Sequence, residues 1–154
     1  MKKEYGIQKD AAYNLSHSGE YVLCSVHEGK DPKIRVGCDI EEIGICNMKI
    51  ARRFFCRSEY EKIDSETNEE RRRELFFRYW VLKESFIKAI RLGMKQDLRE
   101  FEIALDERGA RLVRQPEAVL GTYYYQEYQP DAGDARIAVC STEKKFGELH
   151  YLDE

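Results

Sequence analysis

The chain has 154 residues, 42% of them apolar and 36% charged, with 26 basic and 29 acidic side chains and a net charge of −3. That is enough chain for one core and short for two, so a single domain over 1–154 is expected. The near-even charge gives no ground for a nucleic-acid or anionic-membrane partner, the apolar runs are too short for a spanning helix, and the charged start "MKKEYGIQKD" has no apolar stretch behind it to make a signal peptide.

In chain order, "YNLSHSG" ends in turn chemistry, and "EYVLCSVHEGKDPKIRVGCDIE" reads as two strands joined at "EGKDP". In the second strand Ile34, Val36, Cys38 and Ile40 fall on one side, and Gly37, Asp39 and Glu41 on the other. Helical spacing starts near Asn47 with Met48, Ile50, Ala51, Phe54 and Phe55; Ser58 with Glu61 three residues on is a capping-box pattern. Asn68 is expected to cap a main helix from about Glu69 to Leu92, stopped by Gly93 and apolar nearly all round. "FEIAL", "ARLV", "TYYYQEY" and "ARIAVCS" then carry strand composition. Helices grouped between two runs of strands predict an α+β domain, an antiparallel sheet packed on the long helix. Cys24, Cys38, Cys46, Cys56 and Cys140 are odd in number and lack CxxC spacing, which predicts reduced core thiols in a cytoplasmic protein.

Three islands stand out chemically. Asp39 and Glu41 are two carboxylates on one side of a strand, where Asp is a poor strand former. Glu84 and Lys88 share a helix face with Trp80. An exposed ion pair there would contribute about a few tenths of a kcal/mol, but charges among large apolar neighbours are costly unless paired, metal-bound or serving an anion. Three carboxylates without metal-spaced His or Cys suit a hard cation, Mg²⁺ or Mn²⁺, shared with a phosphate that nearby lysines would steady. The third island, "NLSHSG", is either a polar turn before a strand or a phosphate cradle of small hydroxyls, one histidine and a glycine.

"NLSHSG", "VGCDIEEI" with "ARRFFCRSEY", and "FRYWVLKESFIKAIRLGM" together resemble the 4′-phosphopantetheinyl transferase superfamily, of the type that activates surfactin synthetase. The resemblance implies transfer of the phosphopantetheine arm of coenzyme A to a serine of an acyl or peptidyl carrier protein, dependent on Mg²⁺ and releasing 3′,5′-ADP. It implies that Asp39, Glu41 and Glu84 hold the cation, that Lys83 and Lys88 contact phosphate, with Lys88 also stabilising the leaving group, and that Ser16 and His17 bind the nucleotide end, His17 near the 3′-phosphate. Glu84 or a water on the cation would take the serine proton. The resemblance further implies that the chain holds one half of a two-half pseudo-dimer, beginning near the end of the first half. Ile7 and Gln8 stand where the family often places a lysine after "YG". Self-association, completion by another chain, or a truncated non-catalytic module binding coenzyme A or a carrier protein are the consequences to distinguish. A Mg²⁺-dependent nuclease fits less well, because Glu84 and Lys88 lack the Glu-x-Lys spacing and no basic surface is evident.

Overall fold

A computed structural model describes residues 12–91 and 96–152. Strands β1 (Tyr13–Ser18) and β2 (Tyr21–Val26) form a hairpin, followed by β3 (Val36–Glu42), helices α1 (Met48–Phe54), α2 (Arg57–Ser65) and α3 (Glu69–Ile90), a short 3₁₀ turn (Leu98–Glu100), and strands β4 (Glu102–Asp106), β5 (Gly109–Arg114), β6 (Tyr124–Tyr128) and β7 (Ala135–Ser141). The α+β class and the long helix are as the sequence predicts. The strands, however, divide into three antiparallel pieces: β1–β2, β3–β7–β6 and β4–β5.

The caps explain the helix boundaries. Asn47 accepts the N–H groups of Lys49 and Ile50 to start α1, and Asn68 accepts that of Arg71 to start α3. Helix α2 starts two residues earlier than the Ser58 pattern suggests. There Glu59, at the third position, reaches back to the Cys56 N–H at 2.8 Å. Helix α3 ends at Ile90, with Arg91 in the left-handed region (φ 59°); the expected stop at Gly93 lies outside the described residues.

Why α3 is apolar nearly all round is now plain. One side lies on β3 and β7, where Ala138 and Cys140 join its core. Another meets the β4–β5 region, with the Phe86 ring 4.5 Å from that of Phe101 at a tilt of 39° and edge-on to Tyr123. A third holds Phe55 among Phe76, Tyr79 and Trp80. Two half-buried pairs clamp the helix to the sheet: Arg78 makes two bonds to Glu127 of β6, and Arg136 of β7 reaches Glu74.

The far face of the β3–β7–β6 sheet is covered by the hairpin, where Leu23 packs with Cys38, Ile40, Ala135 and Ile137, with Tyr21, Tyr128 and Leu149 around them. Strand β3 is therefore sandwiched, and its alternation decides which side chains meet α3. At Gly37 the approach is so close that a Cβ would lie 2.2 Å from the Ser85 carbonyl oxygen and 2.4 Å from the Ala89 nitrogen. Only glycine permits that contact, and it brings Asp39, two residues on, against α3.

Candidate active site

The side of β3 that faces α3 carries the two acids. Asp39 is buried, and its Oδ1 accepts from Lys88 Nζ at 3.0 Å and from the Ser16 hydroxyl at 3.1 Å. Lys88 also donates to the Cys38 carbonyl at 3.0 Å. The other oxygen, Asp39 Oδ2, is buried with no partner. Glu41 is half-buried and accepts from the Ser18 hydroxyl at 3.3 Å. Glu84 is half-buried on the α3 face that also carries Lys88, one turn away.

The electrostatics show a shortage of positive charge. Burial pushes the Asp39 carboxyl above its ordinary value, against the pull of Lys88 and Ser16. Glu41 is raised by burial and then by the Asp39 charge, with hydrogen bonds from Ser18 and Trp80 and the Lys88 charge opposing. Glu84 is raised by burial, then by Asp39, with Lys88 opposing and Glu41 adding. Three carboxylates thus feel one another around a single ammonium. Together with the orphaned Asp39 oxygen, this donor set fits a hard, oxygen-ligated divalent cation such as Mg²⁺. Among the described residues, no three acidic, histidine or cysteine side chains stand together in an arrangement that could hold a metal ion as they lie.

Two expected contacts are corrected. Lys83 adjoins Glu84 in sequence but points into the dry interior, fully buried. Its ammonium donates to the carbonyls of Leu98 and Phe101 and to the Cys56 sulfur at 3.7 Å, which uses all three protons, and it pairs in charge with Glu59 Oε1 at 3.0 Å. Glu59 is equally buried and also accepts the Cys56 and Ile103 N–H groups. Lys83 therefore has neither access nor a spare donor for a phosphate; it ties α3 to α2 and the start of β4. The second correction concerns "NLSHSG", which is strand β1 with Gly19 (φ 55°) in the following turn, rather than a cradle loop. On a strand, neighbours point to opposite sides. Ser16 faces β3 and is buried against Asp39, whereas His17 is exposed, opposite Val22 in the hairpin register. The structure does not bring Ser16 and His17 to one side.

Sequence reasoning missed Asn14, Ser18 and Glu59. The two-residue spacing of Asn14, Ser16 and Ser18 was the available signal for the first two; for Glu59 it was the three-residue step from Cys56.

A family model described as the 4′-phosphopantetheinyl transferase superfamily matches residues 35–140. The chain is 32% identical over 139 residues to the 4′-phosphopantetheinyl transferase Sfp of Bacillus subtilis, covering 90% of this chain and 58% of that protein. It is 39% identical over 136 residues to the 4′-phosphopantetheinyl transferase psf-1 of Bacillus pumilus, covering 88% and 55%. The chain thus spans a little over half the length of the curated relatives it matches. The holo-[acyl-carrier-protein] synthase of Thermotoga maritima shares the fold at a TM-score of 0.59 and 22% identity, over 72% of this chain and 64% of that one. A holo-(acyl-carrier-protein) synthase of Bacillus anthracis, solved in complex with CoA (3′,5′-ADP), aligns with a TM-score of 0.57 and 20% identity over 72% of this chain and 96% of its own. The family model over residues 35–140 and the relatives above 30% identity place the chain in the 4′-phosphopantetheinyl transferase superfamily, to which it belongs.

Proposed function

We propose that this chain supplies the metal- and phosphate-binding side of phosphopantetheinyl transfer from coenzyme A to the serine of an acyl or peptidyl carrier protein. In that reaction the serine oxygen forms a bond to the phosphorus of the phosphopantetheine arm. The bond from that phosphorus to the bridging pyrophosphate oxygen breaks, 3′,5′-ADP leaves, and the serine loses its proton. The observation that carries the reading is the charge-deficient cluster of Asp39, Glu41 and Glu84 around Lys88, in a member of this superfamily.

Asp39, Glu41 and Glu84 are the residues that would hold Mg²⁺, which when bound would neutralise charge on the pyrophosphate. Lys88, half-buried and bonded only to oxygens of β3 among the contacts described, is the cation placed to meet a phosphate once Asp39 is engaged elsewhere. His17, open to solvent on the hairpin, remains the proposed contact for the 3′-phosphate. Lys83 and Ser16 are left out of the ligand contacts.

We further infer that two copies associate. The outer face of the hairpin exposes Leu15 (56%) and Val22 (81%) beside Val26. Sedimentation should show a dimer or larger assembly; a monomer at high concentration would refute this.

The decisive test incubates the chain with coenzyme A, Mg²⁺ and apo carrier proteins of fatty-acid, polyketide and peptide synthases, and weighs the carriers by mass spectrometry. Addition of one phosphopantetheine is expected. If coenzyme A binds by calorimetry but no carrier gains mass, the chain is a binding module instead. No helix among the described residues is long and apolar enough to cross a membrane, so the assay can be run without lipid.

A further inference from the structure

Strand β3 is an edge strand: β7 pairs with one side, and the other side would leave its N–H groups bare. Those N–H groups are met by side chains of β1 and not by its backbone. Asn14 Oδ1 accepts the Cys38 N–H at 2.9 Å, Ser16 Oγ that of Ile40 at 3.1 Å, and Ser18 Oγ that of Glu42 at 3.1 Å. The offset is 24 residues each time, so β1 runs alongside β3 in a fixed parallel register, one side-chain layer out.

A hydroxyl has one proton and can accept as well as donate. Having accepted from β3, Ser16 turns its proton to Asp39 Oδ1 and Ser18 turns its proton to Glu41 Oε2. Asn14 shares the same row without touching either acid through its side chain; its side-chain oxygen takes the Cys38 N–H, and its backbone carbonyl faces the Cys38 thiol. Two of the three teeth therefore orient the acids, and the third only fastens the strand.

We propose that Ser16 and Ser18 are positioning residues for the cation site: gripping β3 by its N–H groups, they fix one oxygen of Asp39 and one of Glu41 and leave Asp39 Oδ2 for the metal. Asp39 Oδ2, buried and unpartnered while Oδ1 is held from two sides, is the arrangement this device produces. The proposal rests on the metal reading of the three acids and replaces the nucleotide contact that the family resemblance implies for Ser16.

The test uses the full chain with Mn²⁺ as probe, followed by the electron paramagnetic resonance of free Mn²⁺, and separately 3′,5′-ADP binding by calorimetry in EDTA. Ser16→Ala should weaken Mn²⁺ binding about 10-fold, the scale of lost outer hydrogen bonds at metal ligands, and leave metal-free nucleotide binding unchanged. Ser16→Thr, which keeps the hydroxyl, should restore Mn²⁺ affinity. Asn14→Ala should lower the melting temperature as Ser16→Ala does while Mn²⁺ affinity holds. If Ser16→Ala fails to fold, Ser18→Ala, at a half-buried position, gives the same readout through Glu41 with a smaller loss. Unchanged Mn²⁺ affinity with weakened nucleotide binding in Ser16→Ala would overturn the proposal, as would an equal Mn²⁺ loss in Asn14→Ala. Mn²⁺ binding that survives Asp39→Ala would instead remove the metal reading itself, and no Mn²⁺ binding by the unchanged chain would remove both.

Discussion

Helix α3 carries two lysine–carboxylate clusters five residues apart, and they are opposites. Around Lys83 every proton has an acceptor, and Glu59 accepts two backbone N–H groups and pairs with the ammonium, all in the dry interior. Around Lys88 one carboxylate, Asp39, is paired while Glu41 and Glu84 only feel the same ammonium's charge, one buried oxygen has no partner, and burial raises all three acids. Saturation makes the first a brace that fixes where the helix lies. Deficit makes the second a place where a further positive charge would be welcomed. The same pair of residue types thus serves structure or binding according to how completely its hydrogen-bonding capacity is met.

The strongest way to break this contrast is Lys83→Met, which strands a buried Glu59 carboxylate. It should cost about 3–5 kcal/mol in urea unfolding, and adding Glu59→Gln should recover only part of the loss, because it removes the stranded charge while its amide can accept just one of the Cys56 and Ile103 N–H groups. A folded, fully stable Lys83→Met chain that had lost coenzyme A affinity would reverse the assignment. Asp39→Ala comes next. The chain should stay folded by circular dichroism, yet carrier modification should fall by more than the about 100-fold ceiling of outer-contact changes at metal sites. Gly37→Ala sharpens the geometry without altering a charge. Its Cβ would meet helix backbone, so a shift of β3 against α3 should cost about 1–3 kcal/mol, read as a lower urea midpoint together with weaker Mn²⁺ binding.

The smallest effect is electrostatic. The Glu84 carboxyl is held above its ordinary value chiefly by burial. The folded chain therefore binds that proton more tightly than the unfolded chain does. Its contribution is favourable below the ordinary glutamate value and is lost as pH rises from there through the raised value. Glu84→Gln should then raise the melting temperature of the metal-free chain at neutral pH by about 2–4 °C. It should also abolish the further rise that Mg²⁺ gives the unchanged chain.

Much of this was legible in the residues. Alternation in "VGCDIE" put Asp39 and Glu41 on one side, four-residue spacing put Glu84 beside Lys88, and Asn68 announced α3. Lys83 was misread because a motif records adjacency along the chain, while a helix turns adjacent residues about 100° apart. Phe76, Tyr79 and Phe86 lie at helical spacing from it and are all buried, so the wheel already placed Lys83 on the inner face. Ser16 and His17 were paired against the two-residue period of a strand for the same reason. The division of the strands into three pieces was not legible, since local composition does not say which strand meets which.

One pairing described above also governs how the chain must fold. Among the described residues strand β3 finds its only backbone partner in β7, with Val36 opposite Ser141, residues 105 positions apart along the chain. The hairpin and the helices can organise through short-range contacts, whereas this ladder waits for a long loop to close. Asp39 and Glu41 gain their rigid backing only at that late step. A chain cut short before Ala135 would keep every residue of the candidate site and still never assemble it.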